Sequence, residues 1–231
     1  NNFFADFAAS FKRTFLVENR WKLVVEGLWV TVLLAVCSGA LGTVVGFFIC
    51  MLRRARSRAA SVPAAVLIRI LQGTPIVVLL MILYYIIFGK VDVAAILVAI
   101  LGFSLNFGAY VSEMMRAGIE AVDRGQIEAA RALGFTRART FWKITFPQAA
   151  RHFLPVYQGE FISMVKMTSV VGYIAIQDLT KVSDIIRSRT LEAFFPLLAT
   201  AFMYFLVANV LTLLLSRVEI KLDPKRRKRV G

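Results

Sequence analysis

Residues 27–52 read GLWVTVLLAVCSGALGTVVGFFICML, an apolar run without a charge between Glu26 and Arg53. A helix needs about 20 such residues to cross the hydrocarbon of a bilayer, so the stretch predicts a first membrane span. Further runs lie between Arg69 and Lys90, between Asp92 and Glu113, from Phe153 to Ile176, and between Glu192 and Arg217. The second helix is free to begin earlier and carry Arg69 near its end, because residues 59–68 are also largely apolar. The whole chain is 58% hydrophobic with a mean hydropathy of +0.70, more apolar than a soluble domain of this size. The expected fold class is an all-α membrane protein with five transmembrane helices.

Charge separates the remaining readings. The chain carries 28 Lys and Arg against 14 Asp and Glu, a formal charge of +14. A nucleic-acid binder would spread this charge along a soluble face, whereas here it falls in short runs between apolar stretches, so nucleic acid is not the expected partner. Lys and Arg concentrate in cytoplasmic loops. Residues 53–58, 116–151 and 217–229 together hold eighteen of them, against eight before the first span and in the segments 90 and 181–189. The N-terminus is therefore expected outside and the C-terminus inside, as five spans require. Cys37 and Cys50 share one apolar run, and the single histidine, His152, has no second ligand near it in sequence, so neither a disulfide framework nor a metal site is expected.

The spans divide the chain into an outer N-terminal segment (1–26), a membrane domain (27–216) and a basic cytoplasmic tail (217–231). Phe3, Phe4, Phe7, Phe11 and Phe15 recur at three-to-four spacing in the first segment, as in a helix lying in the outer interface; a disordered terminus is the alternative. The tail is either solvated or a lipid anchor. The chain begins Asn1-Asn2-Phe3 with no signal-like start, so a removed tag or signal, or a domain fused upstream, is expected before it.

Residues 116–152 form the longest polar loop and carry helix and breaker signals in order. The strong helix formers Gln126 to Leu133 are followed by Gly134, which suits a left-handed helix stop. Thr136 is placed to cap a second helix, Arg137 to Ile144, with Phe141, Trp142 and Ile144 on its apolar side, and Pro147 is expected to interrupt it. The small residues Ala129, Ala130, Ala132 and Gly134, rimmed by Arg131, Arg137 and Arg139, suit a docking site for another protein, although a purely structural loop has the same pattern.

Glu128-Ala129-Ala130, then Gly134, then Ile144, then Phe146-Pro147 resembles the EAA signature of binding-protein-dependent importer permeases, which usually ends Leu-Pro. The resemblance implies a cytoplasmic coupling helix, about Gln126 to Thr140, seated in a groove of an ATP-binding cassette subunit, with Glu128, Ala129, Ala130, Arg131, Gly134, Arg137, Ile144 and Pro147 as coupling residues. Gly27-Leu28-Trp29-Val30-Thr31, Gln72-Gly73-Thr74-Pro75, Gly108-Ala109-Tyr110-Val111-Ser112-Glu113 and Lys166-Met167-Thr168-Ser169 look like the polar amino acid branch, which takes up histidine, glutamate, glutamine, arginine and opines. The branch more often has Arg where Gln72 stands and Asp where Met167 stands. The resemblance implies a location in a bacterial inner membrane, an extracytoplasmic solute-binding protein, separate or fused upstream, and a second permease subunit, identical or different.

No GxxxxGK[ST] loop occurs to cradle nucleotide phosphates, so no cofactor is expected on this chain, and ATP and magnesium belong to a separate ATPase. Five helices are few for enclosing a polar path, which also calls for a second permease. Ser38, Gly42 and Gly46 form a small-residue stripe for close helix packing. Glu160 and Lys166 are costly inside a span and hence site candidates; with Thr168 and Ser169 they line the expected path of a zwitterion, unless neighbouring helices neutralise them and they serve packing alone. Glu113 is expected to face Arg116 at the membrane edge. Permeases for methionine, metal, phosphate or sugar would share the coupling loop. A gradient-driven carrier would leave that loop without purpose, and no catalytic constellation can be assembled.

Overall fold

The computed structural model describes residues 3–222, all of whose regular structure is helical. The helices are α1 (Phe3–Phe11), α2 (Trp21–Arg53), α3 (Arg58–Gly73), α4 (Ile76–Met81), α5 (Ala95–Glu120), α6 (Arg124–Ala132), α7 (Arg137–Thr140), α8 (Phe146–Met167), α9 (Leu179–Thr190) and α10 (Phe194–Leu222). Helices α2, α5 and α10 are long and apolar enough to span a membrane alone, and two further spans result when α3 with the Ile76–Ile87 helix, and Arg137–Ile174 with α9, are each counted as one broken span. The expected five spans are present in this sense. The tail anticipated over 217–231 begins as the end of α10 and lies outside the described residues from 223 on.

Several boundaries differ from the sequence reading, three of them with a local cause. The second span is interrupted at Thr74-Pro75, because Pro75 has no N–H to give to the carbonyl of Leu71; that carbonyl instead accepts from Asn106 Nδ2 at 2.9 Å in a buried position. The third runs on to Glu120 instead of ending at Glu113. Arg116 there bonds Glu113 at 2.7 Å and Glu120 at 2.9 Å, i,i+3 and i,i+4 pairs that support a helix emerging from hydrocarbon. The fourth helix begins at Phe146 and includes Pro147. The preceding turn, Phe141–Thr145, is widened to π-helical spacing, with Phe146 N–H donating to Phe141 O, so the proline enters a helix that has already changed pitch and does not interrupt it.

The chain forms two compact units. The first gathers residues 1–38, 75–102 and 164–210. Its core packs Val24 of α2 with Leu179, Val182 and Ile186 of α9. Gly27 permits this approach, since a Cβ there would lie 3.0 Å from the Asp178 carbonyl oxygen. The N-terminal segment is tied down in this unit: Glu192 accepts from Ser10 at 3.0 Å and Thr14 at 3.3 Å and pairs with Arg13, while Phe7 and Phe11 pack on Phe195. Phe7 and Phe11 thus make an intramolecular contact while remaining exposed.

Among the described residues the second unit holds 39–74, 103–163 and 211–222. Here the small-residue stripe meets α5: a Cβ on Gly42 would lie 3.1 Å from Ser104 O, and one on Gly46 would lie 2.8 Å from Gly108 O. Phe107 packs edge-on against Tyr157 and Phe161 of α8, and Tyr157 shares a 2.7 Å hydrogen bond with Thr43.

Candidate functional site

The loop after α5 is built from its caps. Asp123 accepts from Gly125 N–H at 2.7 Å and starts α6, satisfying one of the amides a helix start leaves open. At the other end Phe135 N–H reaches Ala130 O at 3.1 Å and Gly134 N–H reaches Arg131 O at 3.0 Å, the paired closure that requires a left-handed residue at Gly134, whose φ is +85°. Thr136 then caps α7, accepting from Arg139 N–H at 3.2 Å. Arg131 donates to Phe135 O at 3.0 Å, Arg139 stacks 4.5 Å over the Phe135 ring, and Gln148 Nε2 donates to Gln126 Oε1 at 2.6 Å, tying α6 to the start of α8. The result is a short, internally braced helix-turn-helix.

Its faces are sharply divided. Ala130 is 5% exposed and packs inward, so it cannot also form the docking face. Glu128, Ala129, Arg131, Gly134, Arg137 and Pro147 are exposed, and Ile144 is half-buried. Leu133 is 80% exposed, and a Cβ on Gly134 would meet nothing within 4 Å. Sequence reasoning missed Leu133, because a leucine at a helix end reads as core. Trp142, also exposed, stacks on Phe47 at 5.7 Å within the same unit.

The intramembrane candidates separate. Glu160 is half-buried in the second unit and Lys166 is exposed in the first, and neither makes an ion pair among the described residues. Thr168 is fully buried and donates to Val165 O at 2.8 Å, so its hydroxyl closes its own helix. Ser169 lines a cavity of about 360 Å³. A polar network the sequence reading overlooked lies nearby in the first unit. Buried Asp178 accepts from Tyr204 at 2.7 Å and from Lys181 N–H at 3.0 Å, capping α9, while Thr31 Oγ1 accepts from Leu179 N–H at 3.3 Å. An Asp two residues before Thr180 and three before Lys181 is a legible N-cap signal.

Residues 20–227 match the family described as the binding-protein-dependent transport system inner membrane component. The chain belongs to that family. It is a multi-pass inner-membrane component of a transport system. Among curated family members, a putative glutamine transport system permease protein of Rickettsia bellii is 33% identical over 203 residues, 86% of this chain and 92% of that protein. The octopine transport system permease protein of Rhizobium radiobacter is 37% identical over 218 residues, 88% of this chain and 87% of the relative. An L-cystine transport system permease protein of Bacillus subtilis is 30% identical, with 89% of each covered. Among solved structures, a chain from an amino acid ABC transporter with histidines superposes with a TM-score of 0.78 at 35% identity, covering 90% of this chain and 98% of its own length. A methionine ABC transporter chain in an inward facing conformation has a TM-score of 0.72 at 18% identity and shares the fold.

Proposed function

We propose that this chain is the permease subunit of an ATP-driven importer, and that its solute is a polar amino acid handed over by an extracytoplasmic binding protein. The observation that carries the reading is the braced α6–α7 element with a leucine and an open glycine turned outward. A leucine 80% exposed contributes little to its own fold and suits an anchor in a partner's apolar pocket. The partner is an ATP-binding cassette ATPase, which holds the nucleotide and magnesium. α6 and α7 serve as the coupling element, and residues 116–152 face the cytoplasm, with the N-terminus outside and the C-terminus inside. A second permease, identical or different, completes the path, to which Glu160, Lys166, Thr168 and Ser169 contribute. The choice of solute is supported by relatives named for glutamine, L-cystine and octopine and by the amino acid transporter fold match.

The test is uptake of labelled L-glutamine, L-cystine and L-arginine into vesicles that carry the chain with its ATPase and binding protein. Uptake of at least one, dependent on ATP and on both partners, is expected. Uptake that proceeds without the ATPase contradicts the reading and makes the chain a gradient-driven carrier.

A further inference from the structure

The cavity beside Ser169 lies wholly in the first unit and is lined by Ser169, Gly172, Tyr173, Thr180, Lys181 and Asp184. At about 360 Å³ it falls in the range of small-molecule sites, about 300–1,000 Å³, and five of its six lining residues carry a polar side chain. Lys181 and Asp184 stand three apart on α9, hence on one helix face, yet they do not pair with each other. Asp184 Oδ1 pairs with Arg187 at 3.2 Å, and Lys181 makes no ion pair among the described residues. Two opposite charges thus share a cavity without neutralising one another.

The walls are fixed. The Lys181 stem lies across Gly172, where an added Cβ would meet its Cδ at 3.3 Å. Lys181 N–H is held by buried Asp178 at 3.0 Å, and Thr180 donates to the Tyr204 hydroxyl at 3.3 Å. Tyr85 donates to the Tyr173 carbonyl at 3.1 Å, and the turn into α9 passes through Ala175 at φ +63°. Charges of both signs in a cavity that is also lined by hydroxyls complement a ligand that carries an ammonium and a carboxylate on adjacent atoms.

We infer that this cavity is a receiving site for the zwitterionic head of a free amino acid, with Lys181 holding the carboxylate, Asp184 the ammonium, and Ser169, Tyr173 and Thr180 the remaining hydrogen bonds. This rests on the importer reading and adds to it a site apart from Glu160 and Lys166, on the side where the proposed topology places the binding protein. The side chain of the amino acid is left unread here, so the site is selective for the head group and tolerant of the rest.

The test places one thiol in the cavity, Ser169→Cys in a Cys37→Ser, Cys50→Ser background, in the permease–ATPase complex in lipid nanodiscs. Its labelling by a membrane-impermeant maleimide is timed with and without L-glutamine or L-arginine. Either amino acid at ten times its half-protecting concentration slows labelling on the order of tenfold, while L-glutamine α-amide and N-acetyl-L-glutamine do not. Lys181→Met abolishes protection, judged against that variant's own unprotected rate, because removing an ammonium from beside the introduced thiol itself alters thiol reactivity. Equal rates with and without amino acid, in a complex that transports amino acids in vesicles, overturn this inference alone; a complex that transports no amino acid overturns the importer reading and this site together. Protection by solute-free binding protein but not by free amino acid also overturns it and makes the cavity a protein-docking surface.

Discussion

Asn106 donates its amide to the carbonyl that Pro75 leaves open, Leu71 O, at 2.9 Å in a buried position. Asn106→Ala strips that carbonyl of its partner and is expected to cost about 1–3 kcal/mol, read as a lower thermal midpoint of the detergent-solubilised chain; an unchanged midpoint contradicts the account of the break. Gly134 tests conformation separately from contact. Its φ of +85° disfavours any Cβ, although none of the described residues would touch one. Gly134→Ala is therefore expected to weaken ATPase association more than Gly134→Asn, because asparagine tolerates the left-handed region better than alanine does, and equal effects would assign the loss to contact with the partner. At this scale much was legible. Gly134 as a helix stop, Thr136 as a cap and the Glu113–Arg116 pair all follow from local rules that depend on near neighbours alone. Asn106 and Asp178 were not, since their roles are set by groups distant in sequence, Leu71 and Tyr204.

Element boundaries were legible in part. Charge-free length located four of the five spans and apolar length the one that holds Glu160 and Lys166, but a charge is a poor end marker where it is neutralised within its own helix, as Arg116 does for Glu113 and Glu120. Pro147, expected to interrupt a helix, continues one after a widened turn, whereas Pro75, given no role in the sequence reading, breaks one. The stripe of small residues in α2 found its contact in α5, where Gly46 and the Gly108 carbonyl leave no room for a methyl group. Gly46→Ala is expected to destabilise the second unit by about 1–3 kcal/mol through overpacking, measured by the same thermal midpoint, while Gly159→Ala, where an added Cβ would meet nothing within 4 Å, is expected to leave it unchanged. Tyr204→Phe removes one of the hydrogen bonds holding buried Asp178 and is expected to loosen α9, read as faster amide exchange over 179–190.

For the whole molecule, the distribution of Lys and Arg predicts which side each segment faces. A single cysteine at Arg124 is expected to react with an impermeant reagent only from the side that binds the ATPase, and one at Arg189 only from the opposite side; reaction of both from one side contradicts the topology. α10 has 6% of its apolar stretch buried, against 61% for α5, so its outer surface is left to lipid or to a second permease. Which of these covers it is not written in one chain's sequence, because both surroundings select the same apolar residues.

In the proposed importer, α6 and α7 transmit ATP hydrolysis on a partner to transport by this chain. The most direct measurement is the ratio of solute taken up to ATP hydrolysed in vesicles carrying the complete importer, compared between the wild-type chain and Leu133→Asp. Leu133 is 80% exposed, so the substitution leaves the chain's own packing intact and acts on the partner's side of the contact. Normal membrane insertion with at least a tenfold lower ratio is the predicted result, since burying an unpaired carboxylate in an apolar pocket costs more than the roughly 1.4 kcal/mol of a tenfold change. A ratio equal to that of the wild type would contradict the account.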